Sequence, residues 1–443
     1  LPGGAALVAV VAVAAFVRAE RPCAAAPLLP QQNTSPAAAP AAASGPLSLS
    51  AATTAALSAN PLSRSAREQL TQAQARLAQA QAQQRLQVLF STTGGVSDAR
   101  VYAPPPARET FGTLVNTLTI PLPFGRRPRL AVAQADALVA AAQAQVEASR
   151  LSLAGQVATA YYDVLRKQAL LVVAQENQAN AARQAGDAQK RFRAGDVPEL
   201  DVLRTQTPVA AAEAAFYQAD TALAAARQTL NGLLGRPLDD AFSVTEAESP
   251  PAAMTLAEAR ERAVKNSPDV RAAEASVRAQ EIAQQAVGLW REPIYSLQGS
   301  DTRSNDQTGF ARLDTIEATI TIPLSDGGLA RAQVREARSA LEQARAQAES
   351  ARRTTLVTVS TAYLLAQGSL RQVAAARVAR EIAQTTYEKT VRGYQAGLFP
   401  LTDVLSAQSA LAQARVADAQ ARYDAAAAAA TLNNALGNLP QQP

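Results

Sequence analysis

The sequence predicts a mainly helical protein with a small β part, built from two copies of one unit. Three observations predict it. The stretch Arg191–Gln206, RFRAGDVPELDVLRTQ, returns as Gly393–Gln408, GYQAGLFPLTDVLSAQ, at a shift of 202 with seven of sixteen positions identical. Long Ala-, Gln-, Arg-, Leu- and Glu-rich runs of helical period flank both copies. Between those runs, two short stretches switch to a period of two, the mark of strands with unlike faces.

The shift holds far from that stretch. Thr119-Ile120-Pro121-Leu122 maps onto Thr321-Ile322-Pro323-Leu324, Thr159-Ala160-Tyr161 onto Thr361-Ala362-Tyr363, and Leu234-Gly235 onto Leu436-Gly437. Ala-rich composition alone would not align Gly, Pro, Asp and Tyr together. One spacing without a gap is a structural duplication.

In chain order, residues 5–17 form an apolar run of signal-peptide length followed by small residues, so 1–26 reads as a signal peptide. Residues 27–46, rich in Pro, Ala, Gln and Ser, read as a flexible linker. Repeat 1 covers 47–240, an inter-repeat linker 241–254, repeat 2 255–439, and a tail 440–443. Each repeat begins with a short helix, Leu47–Ala59 or Thr255–Asn266, stopped by Asn60-Pro61 or Ser267-Pro268. The next helix spaces Ala66, Leu70, Ala73, Leu77 and Ala80 by four and three, a narrow coiled-coil seam.

Strand pairs follow at about 86–122 and 294–324. Leu114, Leu118, Ile120 and Leu122 share a face with Asn116, while Thr113, Val115, Thr117 and Thr119 take the other. Ile316, Ala318, Ile320, Ile322 and Leu324 oppose Glu317, Thr319 and Thr321 in the same way. Pro104–Pro106 reads as a loop. The partner strand is expected at Ile294–Arg303 and its loop at Ser304–Gly309, with Asp301 and Asp306 read as acids of a solvated external loop. Trp290 and Tyr295, where a strand begins, suit a membrane interface or plain packing equally.

Helical period returns after Pro121 and Pro323. The runs Arg127–Arg193 and Leu329–Gln395 would each be about 100 Å long. They end in tips at about 194–198 and 396–400, and helices return over Glu199–Leu234 and Leu401–Leu436. Gly195 and Gly397 suit the left-handed end of a helix, and Pro198 and Pro400 the first turn of the next. Helices this long pack side by side in an extended wall.

Composition excludes much chemistry. The chain has no histidine and one cysteine, Cys23, so Ser-His-Asp and Cys-His catalysis, an internal disulfide and a thiolate metal cluster are all excluded. No enzyme activity, cofactor or metal is expected. The net charge of +5 is spread along the chain without a basic run, so no nucleic-acid partner is expected. No segment after the signal peptide is apolar enough for a transmembrane helix. Ten alternating residues do suffice for a strand across an outer membrane. Four strands cannot close a barrel and an open sheet in lipid leaves backbone groups unpaired, so several copies must share one.

Across Leu47–Leu439 the chain resembles the TolC-like outer-membrane efflux family. The residues that carry the likeness are Ile322-Pro323-Leu324-Ser325-Asp326-Gly327-Gly328, the Tyr161 and Tyr363 segments, and the tips with Asp201-Val202-Leu203 and Asp403-Val404-Leu405. The resemblance implies a homotrimer with a shared twelve-stranded barrel in outer-membrane lipid and a periplasmic α-barrel of long antiparallel helices. It implies a passive exit duct that meets a periplasmic adaptor (membrane fusion protein) and an inner-membrane pump. Gly195, Asp196, Pro198, Gly397, Leu398 and Pro400 are then the adaptor-contact tips.

The entrance is expected at Asp201, Tyr394, Phe399, Asp403 and Ser406. By resemblance, Asp201 bonds the Tyr394 hydroxyl and holds the entrance shut. Phe399 stands where some relatives carry a basic residue of that lock. Asp403 matches one acidic ring of some relatives, and Ser406 replaces the second. The competing reading is a non-channel periplasmic coiled-coil scaffold or adaptor, which explains the helices but not the two matched strand pairs. The same tip residues then serve only as hairpin punctuation and first-turn acids.

Overall fold

The computed structural model describes residues 46–101, 107–246, 254–306 and 309–438. The expected signal peptide, nearly all of linker 27–46, residues 247–253, the Pro104–Pro106 loop and the tail lie outside the described residues. The chain divides into Leu1–Leu47, of which only Pro46 and Leu47 are described, and Ser48–Pro443, which holds every element below.

Repeat 1 runs α1 (Leu49–Ala59), α2 (Pro61–Ala82), β1 (Leu89–Val101), β2 (Ala107–Leu122), α3 (Arg127–Ala194) and α4 (Glu199–Leu234). Repeat 2 repeats that order as α5 (Leu256–Asn266), α6 (Pro268–Gly288), β3 (Ile294–Asp306), β4 (Gly309–Thr321), α7 (Leu329–Gln395) and α8 (Leu401–Ala435).

Local chemistry sets the short helices. Asn60 ends α1 and starts α2: its Oδ1 accepts from Leu62 N at 2.9 Å and its Nδ2 donates to the Leu233 carbonyl at 3.0 Å. In repeat 2, Thr255 and Glu258 close a capping box at the start of α5. Along α2, Ser63 and Ala66 are buried, Leu70, Ala73, Leu77 and Ala80 are half-buried, and the residues between are exposed. The four-three seam therefore faces a partner, and that partner is α3.

The helices form a layer. Toward the strands, α3 lies between α2 and α6; toward the tips it lies between α4 and α8. At one edge, α7 packs against α6 and α8. The small side chains of the runs permit this close approach. The best-buried core sits at mid-height, where Leu153, Val157, Tyr161 and Leu165 of α3 and Leu223 and Leu230 of α4 are covered. In repeat 2, Val359, Ala362 and Ala366 of α7 meet Leu432 and Leu436 and the alanines of α5. The repeated tyrosines tie linker backbone to this level. The Tyr161 hydroxyl donates to the Thr245 carbonyl at 2.6 Å, and the Tyr363 hydroxyl to the Met254 carbonyl at 3.1 Å. Burial pushes the Tyr161 hydroxyl up to about 12, so it stays a donor at any physiological pH.

The strands form one antiparallel sheet in the order β1-β2-β3-β4, so β1 and β4 each leave an edge open. The register puts Phe90, Leu118, Ile120, Leu122, Tyr295, Leu297, Ile316 and Ile320 on one face. Ser91, Thr117, Thr119, Ser296, Gln298, Ser300, Thr315 and Glu317 take the other. The expected alternation is therefore present. Two expectations on β3 need correction. The strand runs through Ser304, Asn305 and Asp306 and pairing resumes at Gly309, so the expected loop at 304–309 is mostly strand. Asp301, expected as a loop acid, lies within β3 opposite Asp314, where Asn116 of β2 donates to it and Arg312 of β4 pairs with it.

The passage from strand to long helix is capped differently in the two repeats. In repeat 2, Asp326 accepts from Gly328 N at 3.0 Å and Ala330 N at 2.5 Å, capping its own helix. In repeat 1 that place holds Phe124, whose ring meets Tyr295 edge-on at 5.8 Å. Glu292 of repeat 2 supplies the cap instead, accepting from Arg126 N at 2.5 Å and Arg127 N at 3.0 Å. The backbone donors hold both carboxyls below their ordinary range: Arg126 N chiefly for Glu292, Ala330 N chiefly for Asp326.

Candidate functional site

The site is the pair of tips. In tip 1, Gly195 ends α3 at φ 82°, and Asp196 N donates to the Arg191 carbonyl at 2.9 Å. In tip 2, Gly397 takes φ 76°, and Leu398 N donates to the Gly393 carbonyl at 2.8 Å. This is one helix-ending motif used twice, and its left-handed residue admits glycine without strain. Pro198 and Pro400 stand at the N-cap, one place before the expected first turn, in extended conformation. Leu200, Leu203, Leu398 and Phe399 are exposed around the turns.

Side chains differ more than backbone. Gly393 is buried, and a methyl group added there would overlap the Phe399 ring. Phe399 thus folds back on the last turn of α7, where only glycine leaves room. Arg191 holds the position that Gly393 holds in repeat 2. Its guanidinium lies 4.8 Å from the centre of the Tyr394 ring, joining repeat 1 to repeat 2 just above the turns.

The expected Asp201–Tyr394 bond is not made within the protomer. Asp201 faces Arg204 at 3.5 Å, three residues on in the same helix. The Tyr394 hydroxyl is buried and has no hydrogen-bond partner among the described residues. Arg204, one turn on in the same helix, takes the carboxylate, and the Arg191 guanidinium lies over the Tyr394 ring. Asp403 and Ser406 are both exposed on α8, one turn apart. Ser406 Oγ donates to the Thr402 carbonyl at 2.8 Å. Sequence reasoning missed Arg191 and Gly393. Their one signal was that aligned tips differ there, Arg against Gly.

Above the tips, ion pairs join the repeats. Arg415 of α8 meets Glu176 of α3 at 3.0 Å, and Arg166 of α3 meets Asp424 of α8 at 3.0 Å. Asp418, nearly fully buried, is held by Arg380 at 3.1 Å and Arg422 at 3.6 Å. Among the described residues, no helix is long and apolar enough to cross a membrane.

The family model for outer membrane efflux proteins matches residues 53–236 and 259–438, one segment per repeat. The chain is similar to the outer membrane efflux protein BepC of Brucella suis, 25% identical over 351 residues that cover 78% of this chain and 76% of BepC. It is similar to the cobalt-zinc-cadmium resistance protein CzcC of Cupriavidus metallidurans, 27% identical over 79% of this chain and 84% of CzcC. Its fold matches that of the outer membrane protein VceC of Vibrio cholerae with a TM-score of 0.75, at 21% identity over 88% of this chain and 96% of VceC. The family is that of outer membrane efflux proteins, and the fold is shared with a solved outer membrane protein. The two matched segments together span most of the sequence, and the chain belongs to the outer membrane efflux protein family.

Proposed function

We propose that three copies of this chain form one continuous passive duct, the outer-membrane exit of a tripartite efflux or secretion system. The observation that carries this is the pair of open sheet edges, β1 and β4, on a unit whose helices form a layer rather than a closed bundle. Unpaired strand edges have no water to bond in a bilayer, so β4 of one copy must meet β1 of the next. Three copies give twelve strands, an even number within the known range of closed barrels. The same head-to-tail contact would close the helical layers into a tunnel. The tips then gather at its periplasmic end, where Gly195, Asp196, Pro198, Gly397, Leu398 and Pro400 meet the adaptor. Asp201, Tyr394 and Phe399 belong to the gate.

Asp403 and Ser406 face away from their protomer's core, as residues lining a narrow opening would. A ring of three Asp403 carboxylates concentrates cations there. The chain's net charge of +5 does not oppose this, because charges beyond about 8 Å are screened at physiological salt. Recordings in planar bilayers test the reading. The parent should conduct with cation preference, and Asp403→Asn should weaken that preference. An anion-selective parent overturns the ring. A protein that never conducts, with cysteines at Asp196 and Leu398 that capture no periplasmic adaptor, overturns the duct.

A further inference from the structure

A row of polar side chains crosses all four strands on the face that also carries Tyr295, Leu297, Ile316 and Ile320. Thr92 donates to Asn116 at 2.8 Å, and Asn116 donates to Asp301 at 3.3 Å. Asp301 then takes Arg303 on one oxygen at 3.1 Å and Arg312 on the other at 3.1 Å. Arg312 also meets Asp314 at 3.2 Å. The opposite face is Ser- and Thr-rich and suits a wet lumen, so the row lies on the lipid side.

Its height is informative. The apolar side chains below it extend down to exposed Ile322 and Leu324. Asp314 lies ten residues from Leu324. At about 3.3 Å per residue and a tilt of about 40°, that places the row about 25 Å up, the usual height of a barrel's apolar band. The strands rise away from the helices in this direction, so this edge faces the cell exterior. Arg303 and Arg312 stand one step higher and directly opposite each other on adjacent strands. Both remain more than half exposed despite their ion pairs. The contacts to Asp301 and Asp314 are both made through Nε of Arg312, whose one hydrogen goes to Asp314.

We propose that Arg303 and Arg312 form a binding site for a phosphate group of an outer-leaflet glycolipid. The proposal rests on the membrane placement of the sheet. Two opposed guanidiniums repel unless an anion lies between them. Asp301 pairs with both from below and leaves the upper side for a second anion. Guanidinium forks bind phosphate in two-point fashion, and the apolar band below offers a surface for the acyl chains.

Lipid retention by the detergent-purified full chain, read by native mass spectrometry, tests this. The parent should retain bisphosphorylated lipid A at least tenfold better than fully dephosphorylated lipid A or phosphatidylglycerol. The double variant R303Q/R312Q should lose that preference, whereas R303K/R312K should keep part of it. Equal retention of phosphorylated and dephosphorylated lipid by the parent overturns the site without any variant. Competition by inorganic phosphate at equal concentration would mean a free-anion site and also overturns it. Quenching of the single tryptophan, Trp290, by brominated lipids in vesicles separates the two levels of the claim. No quenching overturns the membrane placement itself. Quenching together with unchanged lipid A retention by R303Q/R312Q overturns only the phosphate site.

Discussion

The two tips share a backbone and differ in chemistry. Both end a helix on a left-handed glycine with the same six-residue bond, and both begin the next helix at a proline. Tip 1 then presents Arg191, Asp196, Val197 and Arg204 where tip 2 presents Gly393, Leu398, Phe399 and Ser406. Duplication preserved the turn because its φ requirement is local. The side chains diverged because they meet different neighbours: Phe399 meets its own helix, and Arg191 meets the other repeat. The helix starts after the strands show the same division. Asp326 caps within its repeat, whereas Glu292 reaches across to the repeat that lacks an acid there. Shared backbone with exchanged partners turns two copies into one unit.

The largest effect should come from the position where the tips differ most in size. Gly393→Ala pushes the Phe399 ring off α7, and overpacking of this kind costs about 1–3 kcal/mol. If the ring helps close the tip, resting conductance should rise roughly five- to hundredfold. The aligned change Arg191→Ala should act less. An unchanged Gly393→Ala channel would show that the ring plays no part in closure.

Next comes the contact between repeats. Arg191→Gln removes a cation–π contact worth about 0.5–2 kcal/mol, so the closed state should weaken about two- to thirtyfold. Tyr394→Leu should match it. Tyr394→Phe keeps the ring and deletes a hydroxyl that has no hydrogen-bond partner among the described residues, so resting conductance should stay near the parent's. A leak from Tyr394→Phe as large as that from Arg191→Gln would restore the hydroxyl bond to Asp201, made between protomers.

The smallest effect concerns the two caps. Glu292 and Asp326 have lowered folded-state pKa values, so their stabilisation is complete above the ordinary carboxylate range and is lost as pH falls below it. Glu292→Gln and Asp326→Asn should each lower the melting temperature at pH 7. The gap to the parent should narrow at pH 3. A gap that stays constant with pH would mean the carboxylates do not cap.

Repeats, strand faces and turn positions were legible because each depends on local pattern. Period-two alternation placed Ile316, Ile320 and Glu317 on their faces, and the shared shift located both tips. The end of β3 was misread because Ser304, Asn305 and Asp306 have turn-like composition, while pairing with β4 across the register overrides it. The Glu292 cap was invisible for another reason: its partners lie 165 and 166 residues away. The expected Asp201–Tyr394 bond came from resemblance, and Arg204 and Arg191 changed both partners' surroundings. Mismatches between aligned repeats, Arg191 against Gly393 and Phe124 against Asp326, were the available signals for all such contacts.

The central claim is that one chain is a third of a closed duct, because its sheet ends in two open edges. Native mass measurement of the detergent-extracted protein, with strand content read on the same sample, tests this most directly. The account predicts a species of three chains with full strand content, and loss of that strand content whenever the chains separate. A folded monomer that keeps its strands in detergent would contradict it.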